Sequence, residues 1–328
     1  MKILIVAPAW VGDMVMAHTL VTVLSHNADA QIDMVAPPAT APLADRMPGV
    51  TKCFTLDAGH GELGLGKRRT LAALLAKEGY DQAIVLPNSF KSALLPFWAR
   101  VPKRTGWHGE ARFVLLNDRR RLEPERYPLM IERFMALALP AGAALPKPYP
   151  EPRLSADPDR GQALVRELGL ATSGITVLCP GAEFGPAKRW PPGHYAAVAR
   201  HEVARGRQVW LLGSKGDAQA CAEIESLTPG GLVNLAGRTR LLDALDLLAL
   251  ADRVVCNDSG LMHVACALER PVVAIFGSTS PDFTPPLGQR ARVLSHLVPC
   301  SPCFQRECPL GHLDCLVKLT PERVIEAL

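Results

Sequence analysis

Cys179-Pro-Gly-Ala-Glu-Phe-Gly-Pro-Ala-Lys188-Arg-Trp190-Pro-Pro is the stretch whose reading decides the fold. An apolar, β-like run over 175–178 leads into it, and a helical pattern starts near His194. A strand that empties into a Gly/Pro-rich loop carrying a lysine, and then into a helix, is how α/β proteins build anion sites. Backbone N–H groups and the positive end of the helix dipole face the ligand there, and the lysine adds a full charge. Such a pocket lies at the carboxyl edge of a parallel sheet, where a diphosphate fits. An ordinary strand-to-helix connection with solvated Lys188 and Arg189 is the alternative. The glycines and prolines crowded round Lys188 favour the anion site.

The same alternation runs outward in both directions. In the first part, strand patterns fall at 3–8, 32–36, 52–56 and 82–87, with helical patterns at 14–25, 43–46, 67–78 and 92–99. Residues 140–153 are rich in Pro and Ala, lack periodicity and read as a linker. A second series follows, with strands at 175–180, 208–213, 233–236, 253–257 and 272–276. Its helical patterns lie at 159–169, 194–205, 218–227, 241–251, 261–269 and 321–328. This spacing implies parallel sheets with helices on both faces. At 328 residues the chain exceeds a single core. The expected fold is therefore α/β, with two Rossmann-like domains over 1–150 and 151–328 facing a central cleft.

Composition narrows the function. The chain is 48% apolar and 21% charged, and no apolar run is long enough to span a bilayer. The start, Met1 to Ala9, has a leader-like apolar run, but Asp13 follows closely; it is read as a first strand, and the protein is expected in the cytoplasm. Residues 1–150 hold 18 Lys+Arg against 13 Asp+Glu, a net of +5, whereas 151–328 hold 18 against 19, a net of −1. The basic clusters Lys67-Arg68-Arg69, Lys103-Arg104 and Arg119-Arg120-Arg121 are expected to be solvated faces. A basic first half also suits an anionic acceptor or an anionic membrane surface. Nucleic acid is not expected, because no nucleic-acid motif accompanies the charge.

Five of the nine cysteines are scattered, in keeping with buried free thiols of a reducing compartment. Cys300, Cys303, Cys308 and Cys315 instead form a C-x2-C-x4-C-x6-C cluster in a polar tail. Four thiols that close could bind a structural Zn²⁺ or an iron–sulfur cluster, or remain plain thiols, reduced or partly oxidised.

Three other strand-end turns carry polar chemistry. Trp10-Val-Gly12-Asp13 closes the first strand; Asp13 reads either as a helix N-cap or as a general base, and Gly12 lets backbone approach a ligand. Asn257-Asp258-Ser259-Gly260-Leu-Met-His263 repeats the arrangement, with the free N–H groups of the next helix as a second anion cradle and His263 one turn in. In Gly213-Ser-Lys-Gly-Asp217, Asp217 reads as a ribose acceptor or an N-cap. Ser280-Pro-Asp-Phe-Thr-Pro-Pro286 is a further loop at a strand end.

Long runs at these places resemble the ADP-heptose:lipopolysaccharide heptosyltransferases, inverting GT-B enzymes, and within them the heptosyltransferase II branch. They include Ala9 to Met14, Leu86-Pro-Asn-Ser-Phe-Lys91, Arg104-Thr-Gly-Trp107, Pro180 to Pro191, Asn257 to His263 and Ser280 to Pro286. The resemblance implies a second-domain site for ADP-L-glycero-β-D-manno-heptose and a first-domain site for a heptosylated Kdo2-lipid A core at the inner membrane surface. It makes Asp13 the catalytic base and Lys188 a diphosphate contact. Gly12, Gly181, Asp217, Asp258, Ser259, Gly260 and His263 then belong to the donor site. No cofactor is needed for the reaction so implied. The cysteine tail is no general feature of the family. Two other readings remain at this point: a transferase or epimerase acting on another nucleotide sugar, and a non-catalytic nucleotide-sugar sensor.

Overall fold

The alternating apolar runs form two six-stranded sheets, parallel throughout. They are seen in a computed structural model that describes residues 1–26, 30–59 and 61–328. The chain divides into two units, Met1–Pro152 and Arg153–Leu328.

In the first unit the strands are β1 (Lys2–Val6), β2 (Gln31–Ala36), β3 (Lys52–Thr55), β4 (Gln82–Val85), β5 (Lys103–Trp107) and β6 (Asp118–Arg120). Their order across the sheet is β3-β2-β1-β4-β5-β6. The helices are α1 (Val11–Met16), α2 (His18–Ser25), α3 (Ala41–Ala44), α4 (Leu65–Leu75), α5 (Phe90–Trp98) and α6 (Met130–Ala138). β1 and β4 read Lys-Ile-Leu-Ile-Val and Gln-Ala-Ile-Val because a parallel strand covered by helices is buried on both faces.

The second unit has strands β7 (Ile175–Cys179), β8 (Gln208–Leu211), β9 (Leu232–Asn234), β10 (Arg253–Asn257), β11 (Val272–Phe276) and β12 (Ala291–Ser295). Their order is β12-β11-β10-β7-β8-β9. Its helices are α7 (Pro158–Leu168), α8 (Pro192–Ala204), α9 (Ala218–Ser226), α10 (Leu241–Leu248), α11 (Gly260–Ala267), α12 (Asp314–Val317) and α13 (Pro321–Glu326). Counted from its own first strand, this sheet repeats the order of the first. Each unit is thus a doubly wound Rossmann-like layer, and in each the strand order reverses once: between β1 and β4, and between β7 and β10. Loops leave such a neighbouring pair in opposite directions and open a crevice at the carboxyl ends.

Several expectations shift. The basic clusters are not mere solvated faces. Lys103-Arg104 opens β5 and Arg119-Arg120 lies in β6, two strands that the sequence reading did not contain. The Arg120 side chain is nearly buried, donates to the carbonyls of Ala136 and Leu139, and pairs with Asp118. Arg68 is buried and donates to Leu63 O, and Arg104 is tied to Leu115 O and Val101 O. An all-charged edge strand gives no apolar signal; its arginines are recruited by helix-end carbonyls that only the fold brings near. The helical pattern at 14–25 begins at Val11 and breaks at Ala17 into α1 and α2, and α6 was not expected.

One buried side chain fixes the second crevice. Asn257, at the end of β10, donates through Nδ2 to Pro180 O at 2.7 Å. Its Oδ1 accepts from the Trp190 N–H at 3.1 Å and the Tyr195 hydroxyl at 3.0 Å. Both ends of the 180–190 loop and the start of α8 are therefore pinned to the strand across the reversal. Leucine is close in size but can bond none of these groups. The Asn257→Leu variant is expected to lose about 1–3 kcal/mol, the cost of leaving buried polar partners unsatisfied, read as a lowered urea midpoint.

Candidate functional site

The loop after β7 ends in a 3-10 turn, Pro186–Lys188, which turns the lysine back over the sheet edge. Lys188 Nζ donates to Asp258 Oδ2 at 2.6 Å and lies 3.3 Å from Asp258 O. Thr279, just past β11, donates its hydroxyl to the same carboxylate oxygen at 2.6 Å. The side chains are 14% and 5% exposed for Lys188 and Asp258, so the pair is largely removed from water. Nζ also stands 5.1 Å from the centre of the Phe184 ring. A flexible lysine is thus held at one point by the loops after three neighbouring strands.

His263 lies one turn into α11 and is buried. Burial pushes its pKa down to about 4; Asp258 opposes that shift and Lys188 reinforces it. The imidazole is accordingly neutral at pH 7 and can donate or accept one hydrogen bond. Ser259 is the N-cap residue of α11 but lends no side-chain hydrogen bond to the first turn. With Gly260 behind it, that turn presents backbone N–H groups rather than a side chain.

Gly181 and Asp217 meet at the other side of the β7 loop. A Cβ at Gly181 would stand 2.4 Å from the Asp217 carboxylate, so only glycine permits the approach. Asp217 Oδ2 accepts from the Ser214 N–H at 2.9 Å and its hydroxyl at 2.8 Å, closing the 3-10 turn Lys215–Asp217. Its Oδ1 lies 3.7 Å from Arg189 Nη2. Asp217 is the N-cap residue of α9 by position, but its side chain makes no cap bond to that helix.

In the first unit, Gly12 and Asp13 are the second and third residues of α1, and both are half-buried. The N-cap is Trp10, which overturns the capping reading of Asp13. A carboxylate in the first turn still suits the helix dipole. Across the reversal, the loop after β4 is held by Arg112, fully buried, which donates to Pro87 O at 2.7 Å, to Asn88 Oδ1 at 3.2 Å and to Trp107 O.

Two runs match short motifs by spacing alone. Residues 59–64 read G-x-G-x-x-G but follow β3, the edge strand, rather than the strand beside the reversal where a dinucleotide fingerprint works. Asp157-Pro158-Asp159 reads D-x-D, yet Asp157 caps α7 by accepting the Arg160 N–H at 3.0 Å. Among the described residues no group of three or more His, Cys, Asp or Glu is already arranged to hold a metal ion. None of the nine cysteines is joined to another in a disulfide, those of the 300–315 cluster included.

The profile of glycosyltransferase family 9 (heptosyltransferase) matches residues 68–314. The chain belongs to this family. Over 339 aligned positions it is 44% identical to lipopolysaccharide heptosyltransferase 2 of Salmonella typhimurium, covering all of this chain and 97% of that one. The solved structure of Escherichia coli ADP-heptose LPS heptosyltransferase II superposes with a TM-score of 0.90 at 43% identity, covering 100% and 97% of the two chains. A family 9 glycosyltransferase from Veillonella parvula shares the fold at 18% identity, with a TM-score of 0.85 over 99% and 95%. The two Rossmann-like units are thus the GT-B-like architecture of this glycosyltransferase family.

Of the residues singled out in the sequence, the structure brings Lys188 and Asp258 together with His263 nearby; Thr279, which bonds the same carboxylate, was not among them. Thr279 stands one residue before the Ser280–Pro286 loop and three residues past the end of β11, a position that strand-end counting alone could have flagged. Asn257 was read only as part of a motif; its clamp needs the register of β10 against β7.

The His263 pKa gives a signed expectation. Above pH 6.5 the ring is neutral in both folded and unfolded chain and adds no pH dependence. As pH falls from 6.5 towards 4, the unfolded chain takes up a proton that the folded chain refuses, so stability is lost across that window. His263→Gln is expected to flatten the fall by up to about 1.4 kcal/mol per pH unit, read from denaturant midpoints between pH 7 and 4.5.

Proposed function

We propose that this glycosyltransferase adds the second heptose of a lipopolysaccharide inner core. It moves L-glycero-D-manno-heptose from ADP-L-glycero-β-D-manno-heptose to the first heptose of heptosyl-Kdo2-lipid A, with inversion. The reading is supported above all by the 44% identity with a heptosyltransferase 2 along the whole chain. The Lys188–Asp258–Thr279 cluster, set at the strand-order reversal where α/β sheets take phosphorylated ligands, is the local feature that supports it.

In this mechanism the acceptor hydroxyl oxygen attacks the anomeric carbon from the face opposite the diphosphate. Its proton passes to Asp13 as the carbon–oxygen bond to the diphosphate breaks and ADP leaves. Positive charge grows on the sugar ring and negative charge on the diphosphate. Lys188 and the first turn of α11 stabilise the latter, a fixed positive field that removes the need for a divalent ion at the diphosphate. Asp258 holds Lys188 in place before the donor arrives; the diphosphate then shares its charge. Neutral His263 hydrogen-bonds a donor oxygen without adding a full charge of its own. Gly12, Gly181, Ser259 and Gly260 allow close backbone approach, and Asp217 faces the ribose.

The basic first unit suits the phosphorylated acceptor at the inner face of the cytoplasmic membrane. Among the described residues no helix is long and apolar enough to cross a membrane.

Asp13→Asn is expected to retain ADP-heptose binding, measured by calorimetry, while transfer to heptosyl-Kdo2-lipid A falls by about 10²–10⁴-fold, the usual worth of a general base. Transfer at the normal rate would remove Asp13 from that role. The acceptor lacking heptose should give no product, and withholding Mg²⁺ should leave the rate unchanged. Lys188→Ala should weaken ADP-heptose binding and slow turnover together. Because it leaves Asp258 without its cation, a Lys188→Met, Asp258→Asn double variant separates lost catalysis from lost stability.

A further inference from the structure

The tail that carries the second cysteine group is built against the site rather than away from it. A void of about 10 Å³, room for one water-sized body, is lined by Cys300, Cys303, Cys308, Cys315 and His312. Ala187, beside Lys188, and Ser278, beside Thr279, close its other side. His312 Nδ1 accepts the Asp314 N–H at 2.9 Å, which leaves its proton on Nε2, 4.0 Å from the Cys300 sulfur. The backbone is also strained here. Phe304 and Leu313 take left-handed φ values of 55° and 52°, each costing about 1–2 kcal/mol for a residue with a Cβ. Strain of that kind persists where something else fixes the turn.

We propose that Cys300, Cys303, Cys308 and Cys315 bind one tetrahedral metal ion, zinc or iron, and that this centre positions the Lys188 loop and the Thr279 turn. Four thiolates are the ligand set of structural zinc and of mononuclear iron, each at about 2.3 Å for zinc. All four cysteines line one void, although their sulfurs are not drawn together as a coordination group. The mechanical link is direct. Ala187 N–H donates to Arg306 O at 3.1 Å, and the same carbonyl sits 2.4 Å from where a Cβ on Gly185 would be. Phe304 N–H donates to Ser278 O at 2.7 Å, and the Ser301 hydroxyl bonds Gly277 O. The segment between the first and third cysteines thus grips both loops that set Lys188 and Thr279 on Asp258. The second half of the proposal rests on the donor-site reading above.

The test is elemental analysis of the full chain purified without a metal-affinity tag, with cobalt substitution of the metal-free protein. About one zinc or iron per chain is expected, lost in a Cys303→Ser, Cys308→Ser variant and kept in Cys53→Ser. Cobalt(II) added to the metal-free wild type should give the intense visible bands of a tetrathiolate centre. No bound metal together with no cobalt spectrum, or cysteines joined in disulfides, would overturn the site. Removing the metal should weaken ADP binding about tenfold, as losing the support behind a ligand set does. Equal ADP affinity with and without metal would overturn the positioning role. Metal-loaded protein that binds no ADP would instead count against the donor-site reading.

Discussion

The second unit depends on a single amide. Asn257 spends its donor on the loop after its neighbour β7 and its acceptor on the start of α8, so two segments that diverge from the sheet edge are tied at one buried point. Parallel strands cannot supply this tie themselves, because their ladder ends where the crevice begins. Without it, the 180–190 loop would have to satisfy the Trp190 N–H and Pro180 carbonyl elsewhere or expose them. With it, Lys188 arrives beside Asp258 and the first turn of α11.

The charges of the site are placed so that each is held before any ligand arrives. Lys188 is balanced by Asp258, and Arg189 lies near Asp217. Thr279 orients the Asp258 carboxylate, and the paired charges leave the site locally close to neutral. Under the proposed donor-site reading, a diphosphate competes with Asp258 for a cation already in position, and the N-terminus of α11 adds partial positive charge. Neutral His263 keeps the local sum from rising further.

Much of this was legible in the residues. The β7 run and its Gly/Pro loop, the β10 run and the Asp258–His263 turn, and the first strand with Gly12 and Asp13 all announce themselves, because a strand buried on both faces must be continuously apolar and must end in a polar turn. The parts that were not legible share a different cause. β6 is Asp-Arg-Arg, and its place in the sheet comes from Arg120 meeting the carbonyls at the end of α6. The role of Asp217 was ambiguous because an acidic residue at a strand-end turn serves equally as cap or ligand; its partners Ser214 and Arg189 resolve how its oxygens are used.

Local pattern, then, determined the class of the protein: alternating apolar strands and amphipathic helices specify two parallel α/β units, and period and turn chemistry are properties of neighbours along the chain. Tertiary structure alone decided which turns share a crevice. Lys188, Asp258 and Thr279 are separated by 70 and 21 residues and meet because the order β11-β10-β7 sets their strand ends side by side. Strand order is a choice among connections whose outcome depends on burying whole sheet faces, so no window of sequence contains it.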